Sequence, residues 1–565
     1  MKTRLLFLLL SASLFAQTQY PLDYFRSPLD IPLFLSGSFG ELRANHFHAG
    51  LDFKTQQKEG WPVRAAADGY IARIKISPYG YGKAIYVNHP NGYTTVYGHL
   101  SKAGGAIEAY IKKAQYEQQN FEVELFPAAG ELPVLKGDTL AFSGNTGGSG
   151  GPHLHFEIRN TITEKILNPM LFGFDRLIAD TRVPVINTLM VYPIGKESVV
   201  NQCHKPQAVS MSLQPDGSYI ADKILVNGKV GFGISAYDLT DSNYTKSGAY
   251  EIETFNNGNP VFGYRFDTFA FDEGRYVNAL LDYPRLKNTG MRIQQLYMEQ
   301  PYPLSLIRAD KSNGVIEAAP NLAQTYKIKV SDAHHNAISI DVPIEYSDLP
   351  AIDEAVAVKK TSYLLKSAND NNYTKDNVSV FIPANTFYDD FYLNFDVTNG
   401  KLTLADDSVP VHSNITITFE DTVTPEKDRE KMFIASVDGK KLSYNFTTRK
   451  GNNFTAYTKN LGDFILAKDT VAPVITAANF KEGKWLSKQN TLELTIRDNL
   501  SGIKTYNGWL NGQWILFEFD YKNRKIIHRF SDNIYTDGRN DLKVVVSDNV
   551  GNSAIFETHF FRKKQ

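Results

Sequence analysis

The chain has very little cysteine: Cys203 is the only one in 565 residues. Without a second thiol it can form no disulfide within the chain. It also cannot build a metal site from two or more thiolates, such as a zinc ribbon or a four-cysteine iron–sulfur cluster. Any metal ion must therefore be held by histidine, aspartate or glutamate side chains.

An excess of charge of one sign is also missing. Sixty basic and 61 acidic residues leave a formal net charge of -1, so no global field favours nucleic acid or an anionic membrane surface. We therefore expect no nucleic-acid partner. Aromatic residues make up 12% and charged residues 21% of the chain, which is typical of folded, strand-rich domains. At about 150 residues per domain, the length predicts three or four domains.

Long apolar runs are absent except at the N-terminus. There, Lys2 and Arg4 precede an apolar run, and the small residue Ala16 follows it, which is the pattern of a signal peptide over residues 1–16. A buried N-terminal helix is the alternative, but the run is too short to span a bilayer and breaks into polar residues. Position 17 is Gln rather than the lipid-bearing cysteine of bacterial lipoproteins. We expect an exported chain without membrane insertion, in the periplasm, the wider cell envelope or the medium.

Strands punctuated by glycine dominate the sequence up to about residue 175. Residues 61–77, 83–101 and 138–160 each combine alternating apolar residues with an Asp-Gly, Asn-Gly or Gly-Gly turn signal, which predicts three antiparallel hairpins. Between them, apolar residues at spacings of three and four from Ile107 to Ala114 predict a helix inserted on a β-core.

The rest of the chain contains an internal repeat. DTRVPVI (180–186) recurs as DTVAPVI (469–475), and KVSDAHHN (329–336) recurs in similar form as VVSDNVGN (545–552). Short strands rich in Val, Ile and Tyr favour β-sandwiches in both copies. The predicted division is a signal peptide (1–16), an N-terminal β-domain (17–175), an Ig-like β-module with an insertion (176–346), a β-rich domain (347–468) and a second Ig-like β-module (469–565).

Half of the 12 histidines lie between residues 46 and 155, which is about a fifth of the chain. In GPHLHFEI (151–158), His153, His155 and Glu157 alternate with apolar residues, so a strand here would carry its imidazoles on one face. In HFHAGLDF (46–53), His48 and Asp52 share one face if the segment is extended. Residues two apart on a strand are about 6.5 to 7 Å apart, so one imidazole can bind a metal while its neighbour reaches the metal-bound water.

Five motifs occur in order: HAGLD (48–52), ADGYI (67–71), VYGHLS (96–101), NTGGSGGPH (145–153) and HLHFEIR (153–159). Together they resemble the lysostaphin-type zinc endopeptidases, which cut peptidoglycan peptides. The resemblance covers roughly residues 36–172 and implies a duplicated hybrid motif fold. The predicted fold class is therefore mainly β, with an antiparallel, barrel-like peptidase domain followed by two or three β-sandwich (Ig-like) modules.

The resemblance also implies a role for individual residues. His48, Asp52 and His155 would hold one Zn²⁺ and leave an open position for water. His153 would take the proton of that water, and His99 would donate to the oxyanion or help to orient the water. For these last two residues, a purely supporting role is the alternative.

The remaining histidines receive structural interpretations. We place His46 at the rim of the site, His89 at a hairpin tip, and His334 and His335 in a solvated turn. The segment between His99 and residue 136 is longer than the family pattern and could form one wall of a substrate groove.

These patterns predict an exported zinc metalloendopeptidase that hydrolyses peptide bonds in peptidoglycan stems or cross-links. A Gly-Gly bridge and a D-alanyl cross-link to a diamino acid are both compatible with the family. One alternative is a non-catalytic protein of the same fold that binds the cell wall or activates another hydrolase. Another is an adhesion scaffold in which the repeated β-modules are the working part. In either case residues 176–565 could bind a protein or glycan partner.

Overall fold

The computed structural model describes residues 20–241, 244–354 and 359–563. The predicted signal peptide lies outside these residues. Strands dominate the described part, which confirms the mainly β prediction. No described helix is long and apolar enough to cross a membrane. The α-helices in this part are α1 (Gly105–Gln118), α2 (Val277–Leu280), α3 (Tyr283–Thr289) and α4 (Glu426–Arg429), and the 3₁₀ helices are Pro169–Phe172, Phe174–Leu177, Phe271–Tyr276 and Phe530–Asp532.

The N-terminal domain is built on a large sheet in the strand order β1-β4-β13-β8-β7-β6-β10, beside a small sheet in the order β5-β12-β9. Strand β13 is an interior strand of the large sheet, between β4 and β8, and is buried on both faces. The strands of this domain are β1 (Leu35–Gly37), β2 (Leu42–Arg43), β3 (His46–Phe47), β4 (Leu51–Lys54), β5 (Pro62–Arg64), β6 (Gly69–Ile76), β7 (Lys83–Asn88), β8 (Tyr93–Gly98), β9 (Lys102–Ala103), β10 (Val123–Leu125), β11 (Pro133–Val134), β12 (Thr139–Phe142), β13 (His153–Asn160) and β14 (Ile166–Leu167).

Of the three predicted hairpins, one forms. Strands β7 and β8 pair with each other around the Asn-Gly turn of residues 91–92. The predictions for residues 61–77 and 138–160 were wrong, because β5 pairs with β12 in the small sheet while β6 and β13 belong to the large sheet. At these turn signals the chain passes from one sheet to the other. The predicted inserted helix is present as α1.

The next module contains a sheet in the order β16-β15-β19-β27-β26-β20-β21-β24. Its short strand β22 pairs with β14 of the N-terminal domain, and one hydrophobic core runs through both parts of the chain. Its strands are β15 (Val185–Val200), β16 (Gln207–Val209), β17 (Met211–Leu213), β18 (Tyr219–Ala221), β19 (Ile224–Tyr237), β20 (Glu251–Asn256), β21 (Asn259–Arg265), β22 (Thr268–Phe269), β23 (Gln294–Gln295), β24 (Ile307–Ala309), β25 (Ile316–Glu317), β26 (Gln324–Ser331) and β27 (Ala337–Tyr346).

Two further modules follow, each with its own hydrophobic core between two sheets. The first has strands β28 (Leu364–Leu365), β29 (Asn371–Lys375), β30 (Val378–Ile382), β31 (Phe391–Tyr392), β32 (Phe395–Thr398), β33 (Lys401–Leu404), β34 (Ile415–Glu420), β35 (Met432–Asp438), β36 (Lys441–Tyr444), β37 (Thr447–Lys450), β38 (Asn453–Thr458) and β39 (Gly462–Lys468). The last has strands β40 (Val474–Ala477), β41 (Thr491–Arg497), β42 (Ile503–Leu510), β43 (Gln513–Ile515), β44 (Glu518–Asp520), β45 (Lys525–Arg529), β46 (Gly538–Asp548) and β47 (Ser553–Arg562).

The last module folds back onto the N-terminal domain. Lys83 Nζ lies 2.9 Å from a carboxylate oxygen of Glu518, and both side chains are largely buried. On helix α1, the Tyr116 hydroxyl donates to Asp532 at 2.6 Å. Lys522 Nζ donates to the backbone carbonyl of Ser149 at 2.9 Å, in the glycine-rich loop before β13. Residues between 373 and 435 positions apart in the chain are thus in direct contact.

Candidate metal centre

Three buried side chains converge at the edge where β4 meets β13. His48 Nε2 lies 3.1 Å from Asp52 Oδ1 and 3.1 Å from His155 Nδ1, and the last two atoms are 2.8 Å apart. The three residues are between 2% and 4% exposed. Together they could hold a metal ion. Two imidazoles and one carboxylate form a donor set that suits zinc and leaves one of its four positions open.

The sheet register brings two of these residues together, and a bend adds the third. His155 on β13 stands directly opposite Asp52 on β4. The predicted continuous extended segment was wrong, because residues 48–50 form a break between β3 and β4. Gly50 allows this bend, since a Cβ atom there would lie 2.2 Å from the carbonyl oxygen of Phe156.

Hydrogen bonds from the opposite ring nitrogens fix which nitrogen of each imidazole faces the centre. His48 Nδ1 donates to the Ser38 carbonyl at 2.7 Å, which leaves the Nε2 lone pair free for a metal. His155 Nε2 donates to Glu157 Oε1 at 2.8 Å, so Nδ1 is the nitrogen that can bind a metal once it has lost its proton. Such partners orient metal-binding imidazoles and raise their basicity.

A buried ion pair supports His155 from behind. Arg159 Nε donates to Glu157 Oε2 at 2.6 Å, and Glu157 is fully buried. Burial alone would raise the pKa of Glu157, but Arg159 and His155 lower it to about 2. Glu157 is therefore a carboxylate at neutral pH and holds His155 by a charge-assisted hydrogen bond. Asp52 is held similarly, since Arg43 donates to its Oδ2 at 2.7 Å.

Two further imidazoles lie beside the three converging side chains. His99 Nδ1 and His153 Nδ1 each donate to a backbone carbonyl at 2.8 Å, those of Thr146 and Gly151 respectively. Their ring centroids are 4.7 Å apart. Burial and the neighbouring imidazoles lower the pKa of His99 to about 3, so its ring is neutral at physiological pH. His99 also has a positive φ of 59°, a costly conformation for a residue other than glycine.

An open cleft of about 600 Å³ connects Asp52, His99 and His153 with the solvent. It is lined by Ser36, Arg43, Asp52, Lys54, Gln56, Gln57, His99, residues 148–151, Pro152 and His153. The segment between His99 and residue 136 contributes no further lining residue, so the predicted groove wall was wrong. Its helix α1 contacts the last module instead, where the Tyr116 ring lies 5.4 Å from that of Trp514.

The other predicted histidines lie outside this group. His46 is exposed, and its Nδ1 lies 2.9 Å from the Ala44 carbonyl oxygen. His89 lies in the turn between β7 and β8, as predicted, but it is buried, and its ring nitrogens lie 2.8 Å from the Asp68 carbonyl oxygen and from Thr95 Oγ1.

Residues 46–116 match the family model described as peptidase family M23. The N-terminal domain therefore contains a peptidase M23 region, and we call it the M23 domain. Residues 362–469 match a second model, described as a Zu5-like domain. The matched region of the M23 domain therefore includes the first two converging residues and His99.

Relatives of the M23 domain are found in several bacteria. A segment of 123 residues is 37% identical to the DD-carboxypeptidase/endopeptidase Mpg of Neisseria meningitidis and covers 22% of each chain. A segment of 139 residues is 31% identical to the peptidoglycan DD-endopeptidase ShyA of Vibrio cholerae, covering 24% of this chain and 26% of that protein. This chain thus spans about a quarter or less of the length of these curated relatives.

Among solved structures, the M23 domain is similar to the catalytic domain of the antimicrobial peptidase lysostaphin from Staphylococcus simulans. The identity is 27%, the match covers 24% of this chain and 89% of that chain, and the TM-score is 0.18.

Sequence reasoning missed the residues that hold the converging side chains of the M23 domain in place. Glu157 was placed on the imidazole face but given no role, although the alternation His155, Glu157, Arg159 along β13 was a usable signal. The Ser38 carbonyl and Arg43 come from irregular or two-residue segments, where no periodic pattern indicates which group they contact.

Replacing Glu157 with glutamine is expected to lower zinc affinity by about 10- to 100-fold. The amide still accepts from His155 but removes the charge, and it leaves Arg159 buried without its partner, which costs about 3 to 5 kcal/mol of stability. Zinc titration and chemical denaturation measure the two effects. Glu117→Gln, at a side chain 65% exposed, is the matched control and should leave both unchanged. Wild-type zinc affinity in Glu157→Gln would contradict this role.

Zinc affinity is expected to rise with pH across the neutral range. Burial lowers the pKa of His155, but Asp52 and Glu157 outweigh it and raise that pKa to about 9 in the metal-free protein. Below pH 9 zinc must therefore displace a proton from Nδ1, so affinity should increase by about tenfold per pH unit up to that value. Competition titrations between pH 6 and pH 9 with a chelator of known proton affinity measure the slope. A zinc affinity that does not change between pH 6 and pH 9 would show that His155 binds no proton in this range.

Proposed function

We propose that this chain is a zinc metalloendopeptidase that hydrolyses peptide bonds in peptidoglycan stems or cross-links. The observation that carries the proposal is the convergence of His48 Nε2, Asp52 Oδ1 and His155 Nδ1 at an open cleft with two more imidazoles. The relatives named as DD-endopeptidases support peptidoglycan as the substrate class. They also support action in the cell envelope, which the predicted export signal would provide.

In this proposal His48, Asp52 and His155 would hold one Zn²⁺, and the ion would supply an acidified water and polarise the scissile carbonyl. His153 is the proton acceptor. Its Nδ1 donates to the Gly151 carbonyl, so its Nε2 carries a lone pair, and this nitrogen lies 3.5 Å from Asp52 Oδ1. His153 can take the water's proton there and later deliver it to the leaving amine.

His99 has the corresponding tautomer. Because its Nδ1 donates to the Thr146 carbonyl, its Nε2 is an acceptor in the neutral ring. This tautomer supports a role in orienting the attacking water, which is one of the two roles that the family resemblance implies. It does not support donation to the oxyanion, since that requires a proton on Nε2.

The last module, in our proposal, holds the glycine-rich loop in position beside the site. Lys522 Nζ donates to the backbone carbonyl of Ser149, and Ser149 Oγ lies 3.2 Å from His153 Nδ1. Lys522 is therefore linked to His153, the proposed proton acceptor, through one intervening residue, Ser149. The division of the chain at residues 175, 346 and 468 and a protein or glycan partner for the later modules remain predictions.

Digestion of purified cell-wall sacculi tests the proposed function. The zinc-loaded full chain is incubated with sacculi, and the soluble fragments are analysed by mass spectrometry beside those from the Asp52→Ala variant. We expect fragments whose masses correspond to cleavage at one peptide bond, absent with the variant, and these masses also distinguish a Gly-Gly bridge from a D-alanyl cross-link. Binding to sacculi without any fragment would favour the non-catalytic alternative and refute the proposal.

A further inference from the structure

A second group of acidic side chains lies where the M23 domain meets the next module. Asp180, Asp238 and Asp332 each offer a carboxylate oxygen, and these oxygens lie within 4.8 Å of one another. The three residues are between 2% and 8% exposed. Asp180 lies in the linker after the 3₁₀ helix Phe174–Leu177, Asp238 directly follows β19, and Asp332 directly follows β26.

Two of these carboxylates have oxygens without a partner. Asp180 Oδ2 and Asp238 Oδ1 are buried and accept no hydrogen bond from the described residues. No lysine or arginine in the described part of the chain forms an ion pair with any of the three aspartates. A buried carboxylate without a counter-charge is strongly destabilising. A bound cation would balance the charge of these carboxylates.

His334 is a titratable group beside this triad of aspartates. Its Nε2 donates to the backbone carbonyls of Asp175 and Ile178, at 3.0 and 2.8 Å. The prediction of a solvated loop residue was therefore wrong. Its Nδ1 lies 3.7 Å from Asp180 Oδ2, which is too far for a hydrogen bond.

Two of the three aspartates, Asp180 and Asp238, line a cavity with room for an ion. The cavity has a volume of about 30 Å³ and is lined by Asp180, Asp238 and His334 on the module side and by Leu51 and Met170 on the M23 side. A particle the size of a water molecule needs about 10 to 15 Å³. Burial, Asp180 and Asp332 together raise the pKa of Asp238 to about 7, which reflects the same uncompensated charge.

The repeated module contains the same arrangement. Its triad is formed by Asp469, Asp498 and Asp548. In both triads an asparagine four positions after the last aspartate donates from its side-chain amide to the carbonyl of the linker aspartate, at 3.2 Å from Asn336 and 3.0 Å from Asn552. The two copies thus keep the same three carboxylates in place although the first contains a long insertion between them.

We propose that Asp180, Asp238 and Asp332 bind a calcium ion that fixes the junction between the M23 domain and the next module. Carboxylate oxygens are hard ligands, and the triad contains no thiolate, which favours calcium or magnesium over a softer metal. Calcium tolerates irregular oxygen cages, whereas magnesium demands near-ideal octahedral geometry and keeps several waters. Thr240 and Ser247 also line the cavity and offer further oxygens. This site shares no residue with the zinc site.

Calcium titration of the zinc-loaded full chain tests the proposal. Isothermal titration calorimetry in metal-stripped buffer should show that Asp238→Asn binds one calcium ion fewer per chain than the wild type, whatever the second triad binds. Asp222→Asn, at an exposed residue of the same module, should bind the wild-type number. Equal stoichiometry for Asp238→Asn and the wild type would overturn the proposal.

Thermal unfolding separates a metal site from a merely structural role. Without calcium, Asp238→Asn should unfold at a higher temperature than the wild type, because it relieves repulsion between buried carboxylates. With about 1 mM CaCl2 the order should reverse, since the wild type alone gains the bound ion at this site. Asp180→Asn should show the same reversal. A wild type whose midpoint does not respond to calcium, or responds equally to MgCl2, would contradict the assignment.

Discussion

Replacing Asp52 with alanine is expected to remove zinc binding and to lower peptidase activity on sacculi by about a thousandfold or more. Asp52 contributes the only carboxylate among the three converging groups, and its Oδ1 lies within 3.1 Å of the metal-facing nitrogens of both His48 and His155. Two imidazoles alone form an incomplete catalytic zinc site. Elemental analysis gives zinc per chain, and the rate of fragment release gives the activity.

Asp23→Ala is the matched control for this variant, because the Asp23 side chain is 90% exposed and lies outside the cleft. It should keep both zinc and activity. Circular dichroism of both variants checks that the fold is retained. An Asp52→Ala protein with full zinc content and a wild-type rate would show that the metal is held elsewhere.

Replacing His153 with glutamine is expected to lower kcat by about 10²- to 10⁴-fold while zinc content stays unchanged. His153 is not one of the three converging ligands. Its Nδ1 hydrogen bond to the Gly151 carbonyl leaves Nε2 free to accept a proton. The glutamine amide can still donate a hydrogen bond but cannot act as a base at neutral pH. Steady-state kinetics on a cross-linked peptide, together with elemental analysis, measure both quantities.

His46→Gln is the control for His153→Gln, since His46 is an exposed histidine near the same domain's metal centre. It should retain the wild-type rate. Two results would contradict the assigned role of His153: a full rate in His153→Gln, or a loss of zinc in parallel with the rate, which would make this residue a ligand.

The converging residues were predictable because their motifs are local. His153 and His155 are two positions apart on one strand, so alternation alone fixes their common face. The spacing between His48 and Asp52 matched the family pattern even though the assumed extended segment is broken at residues 48–50. Short motifs can therefore identify a donor set without giving the backbone path that assembles it.

The strand pairing of the M23 domain was much harder to predict. The turn signals at residues 68–69 and 147–151 do not join paired strands, because β5 finds its partner in β12, far along the sequence. Which strands pair depends on the burial of whole sheets rather than on the turn between two neighbours. The hairpin formed by β7 and β8 was predicted correctly because its partners are consecutive in the chain.

Contacts between modules could not be predicted from a single sequence. Lys522 reaches the Ser149 carbonyl across 373 residues, and although Ser149 lies in the motif NTGGSGGPH, no motif marks Lys522 as its partner. The hydrophobic core shared by the M23 domain and the next module could not be predicted from the sequence either. Strands β14 and β22 pair across the predicted boundary at residue 175. A chain cut at that boundary would expose part of this core, so the functional tests are best made on the full chain.

The most direct test of the zinc peptidase proposal is digestion of sacculi in water enriched in heavy oxygen. Attack by water breaks one amide bond, places one oxygen from solvent in the new carboxylate and gives the proton to the new amine. We predict fragments that carry one heavy oxygen per newly formed carboxyl end, produced by the zinc-loaded chain and absent with Asp52→Ala. Fragments without heavy oxygen, or equal yields from both proteins, would contradict hydrolysis at this site.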